Sequence, residues 1–535
     1  MVGGAGIIRK LLAQSVRMQP LAQPTISRIT VALLFLALTT WATGSVSAQS
    51  ISTDAIGQLT RQRLPAALDE LTEFLAIPND GNYPAQVEAN LAWCRERFTG
   101  LGFEVTRLET PGMPLLFARR EVDPALPTVL FYLQIDGQPV DTAAWDQPDP
   151  YAATWKRKEA DGTYTVVPAP AGTIDDELRL FARSASDSKG PAVAFISALD
   201  VLRQEGIEPA YNVSVIMDFQ EELGSDDLPG AVAAHRERFG ADFLVIMDGT
   251  RHVSNLPTLT FGARGIATVT LRLFGPAYPL HSGQFGNFAP NPVFAAARLI
   301  AGMKDEAGRV LIPGFYDGVM LTDADREAMN QVPETREEIR AMVGVAENEA
   351  IGNTYQEALQ YPSLNIRGLR AGWTGKEVRT LITEEVIVEI DMRLVAETPG
   401  ARQVELLRKY IADAGYHFVD SIPSEAERAQ YPRLVHFSHS LGSVPFRTDL
   451  GTPIDAWLTA AVRRGLDTEP VRMRTTGGSQ PMGPFVNLLD LPAVSLRIPN
   501  PDNSIHAPNE NIRVGNFREG LSACLAVLTQ PLSVK

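Results

Sequence analysis

Four short stretches hold residues whose types and spacing can do chemistry. Ser184-Ala-Ser-Asp-Ser-Lys-Gly190 places Asp187 in a small-residue turn ahead of a helix, and Met217-Asp-Phe-Gln-Glu-Glu222 places Glu221 and Glu222 directly after an apolar run. Asp248 ends the run Val245-Ile-Met247, and His506 lies in Asn503-Ser-Ile-His-Ala-Pro-Asn-Glu510. Taken singly, each has a plain structural reading: Asp187 as a helix cap, the glutamate pair as a solvated surface feature, His506 as a structural histidine. Taken together they offer three carboxylates that can ligate, one imidazole and one spare carboxylate, the inventory of a two-metal hydrolytic site. A bridging carboxylate can hold two cations about 3.5–4 Å apart, lowering the pKa of a shared water and polarising a carbonyl. A free glutamate then serves as general base.

The elements that must position these groups are short apolar runs: Val129 to Leu133, Val213 to Met217, Phe243 to Met247 and Ala493 to Ile498. Each is followed by polar or acidic residues. Helical segments lie between them, such as Pro191 to Glu205, apolar at Val193, Ile196, Leu199 and Leu202 and stopped by Gly206. This alternation predicts an α/β catalytic domain with a mostly parallel sheet flanked by helices, whose ligands gather beyond the carboxyl ends of the strands. In the stretch Phe131 to Asp141 the same logic delivers Gln134 and Asp136 into that cleft.

A second pattern begins after Arg264-Gly265. Strand-like Ala267 to Leu273, helix Pro292 to Lys304, strand-like Ser363 to Leu369 and Val386 to Val395, helix Ala401 to Ala414 and the run Tyr416 to Val419 give the ferredoxin-like order βαββαβ. The expectation is an inserted α+β domain at 264–445 between two catalytic segments, 49–263 and 446–535. The charged stretch Thr322 to Met342 reads as a helical elaboration with a solvated face.

The chain has 535 residues, 45% hydrophobic and 21% charged, a globular composition with enough length for two or three full cores. Residues 1–48 carry Arg9, Lys10, Arg17 and Arg28 and no acid, then the apolar run Ile29 to Leu38, too short to span a bilayer, and the small-residue site Val46-Ser47-Ala48. They read as a signal peptide, with an uncleaved anchor as the alternative, so the expectation is an exported protein, periplasmic or extracellular. Without those four positive charges the formal net charge goes from −15 to −19, which repels nucleic acid and favours small-molecule or peptide substrates. Cys94 and Cys524 allow one disulfide at most and read as core residues.

The spaced set Leu133-Gln-Ile-Asp136, Ser186-Asp-Ser-Lys-Gly190, Glu221-Glu222, Asp248, Arg264-Gly265, His281-Ser-Gly283, Gly314-Phe-Tyr-Asp317, Arg393-Leu-Val395, Gly477-Gly-Ser479 and His506-Ala-Pro-Asn-Glu510 resembles the dinuclear zinc exopeptidases and deacylases. That family includes carnosinase, carboxypeptidase G, acetylornithine deacetylase and succinyl-diaminopimelate desuccinylase, and the resemblance runs from Leu71 to the C-terminus. It implies two divalent ions, zinc by type, with Asp187 bridging, Glu222 and His506 on one ion and Asp248 on the other. It further implies Glu221 as general base and Asp136 as the acid that orients the neighbouring ligand. His281, on a lid and dimerisation domain, matches the histidine that reaches a partner subunit's site in a homodimer, and Arg393 with Gly477, Gly478 and Ser479 matches groups that hold a substrate carboxylate. His235, His252, His417, His436 and His439 fall outside the pattern and read as structural or surface residues.

One position departs from the family. Gln134 stands where histidine is ordinarily a ligand, and a neutral amide oxygen is a poorer zinc donor than imidazole. Gln134 is therefore either a weak ligand, giving a weaker site or one for another metal, or a group that only hydrogen-bonds Asp136. The implied activity is hydrolysis of an amide bond in a dipeptide or N-acyl amino acid with a free carboxylate; the competing reading is a non-catalytic binding protein with an impaired metal site.

Overall fold

The computed structural model describes residues 51–170 and 172–532, and the expected signal peptide at 1–48 lies outside them. The four apolar runs become four neighbouring parallel strands, in the spatial order Asn212–Asp218, Thr128–Gln134, Phe243–Ile246 and Ala493–Arg497. All their residues but Thr128 are buried, because both faces of the sheet are covered, and that is why the runs read as continuous rather than alternating.

Alternate side chains still serve different layers. Phe131 and Leu133 join a core with Leu71, Phe195 and Leu521 from the helices Thr53–Leu75, Lys189–Glu205 and Val514–Leu528, whereas Leu130 and Tyr132 join a smaller cluster with Leu228, Val232, Phe239 and Phe485. Each fully buried Leu or Phe stabilises the fold by about 1.5–3 kcal/mol relative to exposure. Strands Glu104–Leu108 and Leu115–Arg120 extend one edge of the sheet, and Thr258–Thr260 and Val471–Met473 the other, to eight strands. The helix that follows Asp187 runs from Lys189 to Glu205 and ends on Gly206 in the left-handed conformation (φ 65°), as its glycine stop predicts. Cys94 and Cys524 are buried free thiols. Among the described residues no helix is long and apolar enough to cross a membrane.

A five-stranded sheet occupies the middle of the chain, in the order Ser363–Ala371, Glu385–Leu394, Gly265–Phe274, Leu434–Leu441, His417–Val419. Here burial alternates with period two, and the buried face packs against helices Pro292–Ala301 and Gly400–Asp413. One expectation is corrected. The run at Tyr416 to Val419 is only a short edge strand, and the fourth strand of the ferredoxin-like pattern is Leu434–Leu441, antiparallel to Gly265–Phe274 from Phe274↔Leu434 to Ala267↔Leu441. Its sequence, Leu-Val-His-Phe-Ser-His-Ser-Leu, is too polar on its solvated half to stand out as a strand.

The charged stretch forms two short helices, Asp323–Asn330 and Arg336–Val343, each opened by a capping box. They are not merely a solvated face. Asp325 accepts from Arg474 Nε at 3.0 Å, and Glu334, just ahead of the second helix, takes His252 Nε2 at 2.9 Å, so the insertion is tied to the segments that carry the large sheet. A small sheet of Asn511–Arg513, Arg179–Phe181, Thr154–Lys158 and Tyr164–Val166, not anticipated from the sequence, brackets the loop that holds Asp187.

Candidate metal centre

The loop Ser184–Ser188 is shaped by one carboxylate. Glu510, with no exposed surface, accepts the backbone N–H groups of Ser184 (2.9 Å), Ser186 (2.9 Å) and Asp187 (2.8 Å), the Ser186 hydroxyl (2.8 Å) and Arg183 Nη1 (2.7 Å). These donors would otherwise be buried without partners, so Glu510 fixes where Asp187 points. Asp187 makes no helix cap; Ser188 occupies that position.

A second loop presents the glutamate pair. Asp218, at the end of its strand, accepts from the Tyr132 hydroxyl (2.9 Å) and from the Gln220 N–H (3.0 Å), and Glu221–Leu223 then form a single 3-10 turn closed by Gly224 at φ 93°. Asp136 accepts the backbone N–H groups of Glu221 (3.0 Å) and Glu222 (3.1 Å). It therefore orients the turn that carries Glu221 and Glu222, and makes no hydrogen bond to Gln134.

Three side chains converge where these loops meet. His506 Nε2 lies 3.0 Å from Asp187 Oδ2 and 3.2 Å from Glu222 Oε2, and the ligating atoms of the three residues fall within 4.8 Å of one another. The two carboxylates hold the imidazole up at about 10. Burial, then Glu222, pushes Asp187 well above the usual carboxylate range; burial also acts on Glu222, but the His506 hydrogen bond and charge hold it below. Gln138 Nε2 donates to Glu222 Oε2 at 2.8 Å. Burial, followed by the charges of Asp248, Asp187, Glu222 and Asp136, drives Glu221 well above its ordinary value.

Asp248 stands outside this trio, with both oxygens engaged. The Ser188 hydroxyl reaches Oδ1 at 3.1 Å and Asp187 Oδ1 at 3.0 Å, and Gln480 Nε2 donates to Oδ2 at 2.6 Å. Gln134 is 1% exposed, and neither its amide oxygen nor its nitrogen has a hydrogen-bond partner among the described residues. The reading in which it pairs with Asp136 is thus corrected. An orphaned buried amide costs about 1–3 kcal/mol, so this position is suited to an added ligand.

On the inserted sheet, Arg393 Nη1 donates to Ser479 Oγ at 3.1 Å, and the Gly478 carbonyl accepts the Arg264 N–H at 3.1 Å. The Gly477-Gly478-Ser479 loop therefore joins the two sheets. His281 is exposed, its Nδ1 accepts the Gly283 N–H at 3.0 Å, and no hydrogen bond links it to the other candidate residues among the described residues.

Residues 130–530 match Peptidase family M20/M25/M40. The chain belongs to this family. It is 26% identical over 474 residues to the human Beta-Ala-His dipeptidase, covering 84% of this chain and 87% of that protein. It is also 26% identical over 420 residues to the Cys-Gly metallodipeptidase dug1 of Schizosaccharomyces pombe, covering 77% and 82%. Among solved structures, the M20 family metallo-carboxypeptidase Sso-CP2 from Sulfolobus solfataricus superposes with a TM-score of 0.71 at 27% identity, over 87% of this chain and 99% of that one. The protein is a metallopeptidase-class hydrolase with the mixed α/β fold expected of it.

The residues present fit a divalent cation. Asp187, Glu222 and His506 supply two carboxylate oxygens and a ring nitrogen, a normal zinc set, with Glu221 beside them as the spare carboxylate. Sequence reasoning assigned no role to Gln138 and Gln480, nor to Ser188 and Glu510, which it quoted only within motifs, although Ser188, Gln138 and Gln480 contact Asp187, Glu222 and Asp248. It also passed over Arg497, whose one visible signal was a charge inside the apolar run Ala493 to Ile498.

Proposed function

We propose that the protein is an exported metallodipeptidase that cleaves the amide bond of a dipeptide with a free carboxylate, N-acyl amino acids being the adjoining substrate class. The observation that carries the reading is the convergence of Asp187, Glu222 and His506 beside Glu221. Dipeptides are favoured because two similar proteins are a Beta-Ala-His dipeptidase and a Cys-Gly metallodipeptidase. The paired Arg393 and Ser479, with the Gly477-Gly478 backbone, offer a charged and a neutral donor for the substrate carboxylate.

Asp187, Glu222 and His506 would hold a divalent cation, zinc by their donor types, and that ion would supply activation of a water and polarisation of the scissile carbonyl. Glu221 takes the proton from the attacking water and gives it to the departing amine, and Asp136 keeps that carboxyl in place through the backbone. Gln134 and Asp248 would hold a second ion more weakly, since they offer one neutral amide and one carboxylate already met by Ser188 and Gln480. His281, exposed and without a hydrogen bond to the other candidate residues among the described residues, serves the site of a second copy in a homodimer. Export rests on the basic, apolar and small-residue order of residues 1–48.

The test is a dipeptide hydrolysis panel and elemental analysis on one purified sample, with N-terminal sequencing of protein recovered outside the cell. Chelator-sensitive turnover and a mature end near Gln49 are expected; bound metal without turnover on any dipeptide or N-acyl amino acid would favour the binding-protein reading.

A further inference from the structure

Arg497 ends the strand Ala493–Arg497, which runs parallel to the strand that leads to Asp248, so its side chain emerges at the same end of the sheet as the acids. It is buried at 6% exposure. Its guanidinium presses on the backbone after Asp248, since a Cβ on Gly249 would lie 1.3 Å from Nη1. Nε donates to Thr260 Oγ1 at 3.3 Å, while Nη2 has no partner among the described residues. Asp248, Asp187 and Glu221 are the acids whose charges act on it, and yet no carboxylate of the described residues forms an ion pair with it. A buried guanidinium without a carboxylate in contact is costly, and here its compensation is the field of Asp248, Asp187 and Glu221.

Three features thus lie at the ends of neighbouring strands: a neutral Gln134, an Asp248 whose oxygens are taken by Ser188 and Gln480, and a permanent positive charge against Gly249. Resting on the metallohydrolase reading above, we propose that Arg497 acts as a fixed cation in place of a tightly held second metal ion. It neutralises part of the charge of Asp187, Asp248 and Glu221 and repels a divalent ion from the Gln134 position. One ion is then held tightly, on Asp187, Glu222 and His506.

Zinc titration against a competing chromophoric chelator, with metal content measured after desalting, tests this on the full protein. The parent should retain one zinc per chain. Arg497→Met should tighten the second site by about tenfold or more, the scale of removing one unit charge from a partly hydrated site, and Arg497→Lys should follow the parent. Two zinc ions of equal affinity in the parent, or a second site unchanged in Arg497→Met, would overturn the proposal. If Arg497→Met does not fold by circular dichroism, the parent stoichiometry and a Gln134→His variant decide. A histidine that alone equalises the two sites counts against Arg497, and a second site that stays weaker supports it. Dipeptide turnover on the same parent sample keeps the two readings apart: one tight zinc without turnover removes the peptidase reading alone, and two tight zincs with turnover remove only the role of Arg497.

Discussion

At the scale of single residues, Glu221 and His506 have opposite relations to charge. Glu221 is a buried carboxyl among carboxylates, which with burial hold it well above its ordinary value, a setting that suits the general base proposed above. Glu221→Gln preserves size, so bound metal should persist while turnover falls by about 10²-fold or more; unchanged turnover removes Glu221 from the mechanism. His506, in contrast, is held protonated by Asp187 and Glu222, at about 10 against an ordinary 6.5. A group whose pKa is raised on folding adds stability that is complete below its unfolded value and is lost as pH climbs through the folded one. Metal-free protein in chelator should therefore lose melting temperature between pH 7 and 10, and His506→Gln should lose less over that interval. Equal slopes for the two proteins would count against the ion pairs.

At the scale of elements, the loop before the helix Lys189–Glu205 depends on a residue far along the chain. Glu510 binds three N–H groups, a hydroxyl and Arg183, and nothing local can replace it. Glu510→Ala strands the Arg183 charge and those donors, and removing one partner of a buried pair costs about 3–5 kcal/mol. Denaturant unfolding should show that loss, and zinc affinity should drop with it because Asp187 is no longer aimed. A variant with parent stability would mean that the loop holds its shape without Glu510. The turn Gln220–Gly224 is built in the same way, its N–H groups fixed by Asp218 and Asp136 from two adjacent strand ends. Both loops are thus set by buried acids that bind their backbone N–H groups.

At the scale of the whole molecule, the inserted sheet is joined to the large sheet through Arg393 and Ser479, Arg264 and Gly478, Arg474 and Asp325, and His252 and Glu334. These ties fix Arg393 beside Ser479, while His281 remains exposed, its Nδ1 accepting the Gly283 N–H. If His281 completes a second copy's site, mixing His281→Ala chains with Glu221→Gln chains should restore part of the activity, because one site of each mixed dimer regains both groups. Mixed dimers confirmed by native mass spectrometry that stay inactive would exclude a shared site.

The sequence by itself determined the parts of this protein that arise from local pattern. The four continuous apolar runs had to be doubly covered strands, their polar ends had to collect at one edge, and Gly206 had to stop its helix. Glu221, Glu222, Asp248 and His506 stood out because they follow those runs and Asp187 because it sits in a small-residue turn ahead of a helix, and the resemblance to a family joined them as a set. Only the tertiary structure decided which of them meet. The trio does not include Asp248, whose oxygens meet Ser188 and Gln480 from other elements, and Gln134 lies without a partner among the described residues while Asp136 binds the glutamate turn. The strand Leu434–Leu441 was hidden because its solvated half has no apolar periodicity to read. Arg497 and Glu510 were hidden for the same physical reason: a charge is recognisable as buried, and its role as assigned, only when the residues that surround it from distant parts of the chain are in place.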